Sequence, residues 1–137
     1  MSSDEVLKKI IQWVSFADED LQFAQHGLTI TKKPPCRLIA FHAQQCAEKY
    51  LKSFLILKNV DFPRTHNIST LLEFCSQYNG WNVELKDAKQ LSAFAISSRY
   101  PDEDEEVTKD EAVRAIFIAT NVRNVVREIL IQEGINI

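Results

Sequence analysis

An arginine and a histidine stand five residues apart, Arg37 and His42, in the stretch CRLIAFHAQQCAEKYLK from Cys36 to Lys52. An imidazole moves protons near neutral pH, and a guanidinium neutralises charge that builds on a phosphoryl group. Such a pair could serve proton transfer and charge neutralisation at a phosphate group. The stretch is helical in pattern, however, and five residues on a straight helix turn two side chains about 140° apart. They can share a ligand only if Arg37 lies in the cap and bends back, or if a second subunit brings its copy. His42 itself falls on the edge of the apolar face, about 100° from its centre near Ala43 and Tyr50. An edge position serves a packed boundary histidine as well as a ligand-facing one.

A second cluster is Pro63-Arg64-Thr65-His66-Asn67, just before a short apolar segment. Free N–H groups at a helix start favour anions such as phosphate. Arg64 offers a bidentate contact and His66 a titratable one. The alternative is plain capping, with His66 covering the helix end. A third cluster, Ser98-Arg99-Tyr100-Pro101-Asp102, ends a helix. Arg99 there either complements the helix dipole, with Tyr100 as a plug, or pairs with the acidic run that follows. Arg114, Arg123 and Arg127 lie on the last helix with Asn121 and Asn124. Arg123 and Arg127, four apart, share a face that is either a phosphate strip, a solvated surface or a subunit contact. The run Asp102–Glu106 lacks the glycine and alternation of a calcium loop. His26, His42 and His66 are too scattered for a metal motif, and no phosphate loop, dinucleotide fingerprint or zinc-protease motif is present. No metal and no cofactor are expected.

The elements that must position these residues are helices. Val6, Ile10, Trp13, Ala17, Leu21 and Ala24 recur at helical spacing, predicting a helix from about Asp4 to Gly27, with Ser2 and Glu5 as a capping box. A loop from Leu28 to Pro35 follows. The second helix, about Cys36 to Lys58, carries apolar residues over so wide an arc that it should be central. Asn59 to His66 is a loop, and Asn67 caps a short helix from Ile68 to about Tyr78. Asn79-Gly80 marks a turn. A fourth helix is predicted over Val83 to Ser97, with Leu85, Ala88, Leu91 and Ala95 inward. A fifth opens on the capping box Thr108-Lys109-Asp110-Glu111 and runs to about Gln132. Three glycines and four prolines in 137 residues leave little material for the turns of a sheet protein. The expected fold is all-α, an up-and-down antiparallel bundle of about five helices, with residues 1–137 forming one domain.

The net charge of -3 does not describe a strongly nucleic-acid-binding surface. Five carboxylates sit in the single run Asp102–Glu106, though, so the rest of the chain is mildly basic. Cys36, Cys46 and Cys75 are odd in number and form no CxxC pair, which predicts reduced thiols in a cytoplasmic protein. No signal-like segment or membrane-length apolar run is seen.

Three segments, FHAQQCAEKYLKSFL (Phe41 to Leu55), RTHNISTLL (Arg64 to Leu72) and SRYPDEDEEVTKDEAVRAI (Ser98 to Ile116), together resemble the HEPN domain, the higher eukaryotes and prokaryotes nucleotide-binding domain. The resemblance implies a helical bundle similar to the domain that follows some nucleotidyltransferases, and a homodimer. Some family members are metal-independent toxin ribonucleases. Others bind nucleotides or partner a small nucleotidyltransferase, which makes a toxin-antitoxin-type pair the implied setting. The ribonuclease branch uses an arginine followed four to six residues later by a histidine, and two subunits bring these together. The counterpart here begins at Arg99, but Asp104, Glu105 and Glu106 stand where the histidine should come. A carboxylate is anionic at neutral pH and repels a phosphate. The resemblance therefore implies a non-catalytic or weakly catalytic module that binds a nucleotide or RNA phosphate. Arg64, His66 and Arg99 are the leading contacts, with Tyr100 and His42 after them. A toxin ribonuclease using His42 or His66 with Arg99 or Arg37, and a pure protein-interaction module, are the alternatives.

Overall fold

The computed structural model describes residues 2–95 and 106–137. Helix α1 spans Ser3–Gly27. Ser2 caps it, its hydroxyl accepting from the Glu5 N–H at 3.3 Å. Only this half of the anticipated capping box is formed. Helix α2 spans Cys36–Leu57, and Pro34-Pro35 sets its start. After it come α3 (Ile68–Ser76), α4 (Trp81–Glu84), a 3-10 helix over Lys86–Phe94, and α5 (Lys109–Gln132). No strand occurs among the described residues.

Helix α2 is the hub. Helices α1 and α5 pack along it, and α3 and the 3-10 helix cover its other flank. Tyr50, Leu51, Phe54 and Leu55 are fully buried there, each worth about 1.5–3 kcal/mol as an apolar side chain removed from water. Burial extends to Gln44, Glu48, Lys52 and Ser53. Ala24, Ile39 and Ala112 meet at one end of α1, α2 and α5. Asp18, Tyr50 and Arg123 meet further along. These contacts make α1 antiparallel to both α2 and α5, and α2 and α5 run in the same sense.

The loop after α2 turns at Asn59, which has φ +56°, a left-handed conformation that asparagine tolerates. That loop carries the chain back along α2, so α3 then runs beside α2 in the same sense. His66 touches Glu48, Cys75 lies by Leu51, and the Tyr78 and Trp81 rings pack on Phe54. Asn67 caps α3, its Oδ1 accepting from the Thr70 N–H at 3.3 Å.

The segment expected to be one α-helix over Val83 to Ser97 divides differently. It begins as α4 at Trp81 and continues as a 3-10 helix, and residues 96–105 lie outside the described residues. Leu85, Ala88, Leu91 and Phe94 recur every three residues, and three residues per turn put them on one line facing the core. The predicted capping box of the last helix is complete. The Glu111 N–H donates to Thr108 Oγ1 at 3.0 Å, and the Thr108 N–H donates to Glu111 Oε1 at 3.1 Å.

Candidate functional site

A buried strip of α2 holds much of the polar chemistry. Glu48 is only 2% exposed, and a carboxylate so deep must be paired. Three donors reach it: Lys52 Nζ at 3.0 Å, Gln44 Nε2 at 3.0 Å and His66 Nδ1 at 2.8 Å. Gln44 Nε2 also donates to the His66 carbonyl at 3.2 Å, and Gln45 donates to Gln44 Oε1 at 2.8 Å. Lys52 lies over the Trp13 ring of α1, 5.5 Å from its centroid. The two glutamines and the Glu–Lys pair of this helix thus form one network that anchors the loop entering α3. His66 points outward, its side chain 66% exposed. With Nδ1 held by a carboxylate, Nε2 is the ring nitrogen left for solvent or ligand. Arg64, two residues earlier, is exposed and makes no ion pair with any described residue.

His42 is built the same way from different parts. Its Nδ1 meets Asp20 Oδ1 of α1 at 2.8 Å. Lys49 Nζ donates to the other oxygen of Asp20. The imidazole sits against the rings of Phe23, at 4.7 Å and 52°, and Phe41, at 5.2 Å and 72°. Two histidines are therefore each oriented through Nδ1 by a carboxylate. They do not converge: Glu48 lies six residues past His42, which turns it about 120° around the helix. Arg37 and His42 do not converge either. Arg37 is exposed in the first turn of α2, while His42 faces Asp20.

Arg123 and Arg127 are not a free phosphate strip. Arg123 Nε donates to Asp18 Oδ1 at 2.8 Å, and Arg127 reaches Asp18 Oδ2 at 3.6 Å. The Tyr50 hydroxyl donates to the same Asp18, so one carboxylate ties α1 to both α2 and α5. Burial pulls the Arg123 pKa down, but the bonds to Asp18 and Tyr50 outweigh it, and the guanidinium is held charged. Burial, then the bond to Asp18, pushes the Tyr50 phenol up. Arg114 is engaged with Gln90 at 3.2 Å and Asp87 at 3.8 Å.

Arg99 and Tyr100, with the acidic stretch Asp102–Glu105, lie outside the described residues. Among the described residues no three His, Cys, Asp or Glu side chains gather as metal ligands, and no helix is long and apolar enough to cross a membrane. Sequence reasoning missed Asp18, Asp20 and Lys52. The i, i+4 spacing of Glu48 and Lys52 on a helix predicted to be central was a usable signal. Asp20 had none, because its partners are 22 and 29 positions away.

The described residues thus form a small all-α bundle with one carboxylate-held histidine on its central helix and another on the loop before α3. The HEPN domain model matches residues 10–129, and the chain belongs to the HEPN domain family. It is similar to the Methanocaldococcus jannaschii protein described as "Putative toxin MJ1304", at 28% identity over 86% of each chain. It is also similar to the crystal structure of TT1696 from Thermus thermophilus. That match has a TM-score of 0.68 and 26% identity, and covers 88% of this chain and 97% of the other.

Proposed function

We propose that this protein is a cytoplasmic, single-domain HEPN module that dimerises and binds the phosphate of a nucleotide or RNA. In this reading it works in a toxin-antitoxin-type pair with a small nucleotidyltransferase. The observation that carries the binding reading is His66. A buried carboxylate fixes its Nδ1 at 2.8 Å and leaves Nε2 for a ligand at the start of α3, two residues after Arg64, which is exposed and makes no ion pair with a described residue. His42 is a further contact, and Arg99 and Tyr100 complete the set. The toxin description of the archaeal relative supports the setting.

Calorimetry with ATP, GTP and a short RNA tests the reading. Saturable heat that Arg64→Ala and His66→Ala weaken about tenfold is expected. Flat titrations with all three ligands would leave a protein-interaction module.

One observation favours a second reading, a metal-independent ribonuclease. Carboxylate-oriented imidazoles at His42 and His66 are what general acid–base chemistry requires. RNA cleavage in EDTA that is lost in His42→Ala or His66→Ala would establish it.

A further inference from the structure

The chain is acidic overall, yet residues 21–47 contain no aspartate or glutamate. They do contain Lys32, Lys33 and Arg37, with His26 and His42. This stretch folds into one end of the bundle: the last turns of α1, the connecting loop and the first turns of α2. Lys32, Lys33 and Arg37 are all exposed there, and none makes an ion pair with a described residue. Two carboxylates of α1 border this region: Asp20 is occupied by His42 and Lys49, and Glu19, exposed, stands one turn before Phe23. The α2 start has no side-chain cap and no acid in its first turn, so its positive end adds to the same field. Asp110 and Glu111 of the first turn of α5 lie at this end too, beyond the Ala24–Ile39–Ala112 contact, and Glu111 is bonded to the Thr108 cap.

Beside these cations are three rings in a row, Phe23, His42 and Phe41. Phe23 is 57% exposed, which leaves one face of its ring open to solvent. Arg37 stands one helical turn before Phe41 and shares its face. Lys33 has φ +48°, a left-handed conformation uncommon for lysine and easier for glycine or asparagine.

We propose that this end of the bundle docks single-stranded RNA: an unpaired base stacks on Phe23 beside His42, and flanking phosphates lie on Lys32, Lys33 and Arg37. The proposal rests on the phosphate-binding reading above and names its substrate as an unpaired strand. Exposed aromatic rings reward bases that are free to stack, whereas the bases of a duplex are already stacked on each other. A second copy of this chain is a poor occupant. A two-fold contact would set this face against itself, bringing three cations against three.

The test is fluorescence anisotropy with a labelled 12-nucleotide oligo-uridine, the same length of abasic ribose-phosphate strand, and an RNA duplex. Wild-type protein should prefer oligo-uridine to both. Phe23→Ala should weaken oligo-uridine binding about tenfold and abasic binding little, and Phe23→Trp should restore it. Arg37→Gln and Lys32→Gln/Lys33→Gln should weaken both strands and flatten the salt dependence. If Arg64→Ala and His66→Ala weaken binding but the Phe23 and Arg37 variants do not, this docking face is wrong while the phosphate reading stands. If wild type binds no RNA, the docking face falls, while the phosphate reading stands or falls with the ATP and GTP titrations. A change of oligomeric state in Phe23→Ala, or wild-type binding to phosphatidylserine vesicles in place of RNA, would also overturn the docking face.

Discussion

Glu48, in the middle of the most buried helix, bonds His66, on an exposed loop, across 2.8 Å. The contact ties a solvent-facing imidazole to the core. It also closes a set of four polar groups in which Glu48 and Lys52 neutralise each other away from water. A buried pair of this kind adds little over an apolar pair, but breaking it is costly, because the remaining charge stays buried and alone.

Glu48→Gln should therefore cost about 3–5 kcal/mol, since it leaves Lys52 uncompensated at nearly the same volume. His66→Ala should cost far less, about 1–2 kcal/mol, because it removes one hydrogen bond at a mostly exposed residue. Urea unfolding of both variants checks the ordering. Equal losses would mean that the network does not hold the helix.

Tyr50 gives a pH dependence with a definite sign. Its phenol is pushed up from the usual value of 10.0 in the fold, by burial first and by its bond to Asp18 second. Its contribution is whole below about pH 10 and is lost as pH rises above that, because the unfolded phenol ionises first. Tyr50→Phe should lower stability near neutrality by about 1 kcal/mol, and the gap between the two proteins should narrow above about pH 10. Urea midpoints from pH 7 to 11 measure this. A constant gap would count against it.

The thiols should separate by depth. Burial pushes Cys75 up to about 12 and Cys46 up further, and both side chains are fully covered. Cys36 is partly exposed at the start of α2. A disulfide reagent at pH 8 should titrate one thiol per native chain, with the other two reacting only at the rate of unfolding. Rapid reaction of all three would contradict the packing.

Gly27, in the last turn of α1, packs tightly against Ile39 of α2. A Cβ there would lie 2.6 Å from Ile39 Cγ1. Gly27→Ala should destabilise by about 1–3 kcal/mol through overpacking, against the usual gain of alanine in a helix. Thermal unfolding checks the direction; a higher midpoint would show that Ile39 shifts freely.

The long helices were legible in the sequence because their apolar residues repeat at helical spacing, and Ser2, Asn67 and Thr108 announce the starts of α1, the short α3 and α5. The breadth of the apolar arc on Cys36–Leu57 also placed that helix at the centre. The 3-10 stretch was misread as an α-helix because Leu85, Ala88, Leu91 and Ala95 also fit an α-helical stripe. Packing chose the line with period three. Arg123 and Arg127 were recognised as a pair, but nothing local could show that Asp18, more than a hundred residues earlier, takes up their charge.

The stretch CRLIAFHAQQCAEKYLK shows where the division falls. By itself it determined a helix, its buried face and the divergence of Arg37 from His42, because those follow from 100° per residue and the size of the side chains. Its polar residues acquired their roles only in three dimensions. Asp20 holds His42, and the returning loop sets His66 on Glu48. Hydrogen bonds between groups distant in the chain leave no periodic trace in the sequence, because they depend on which helix faces come together.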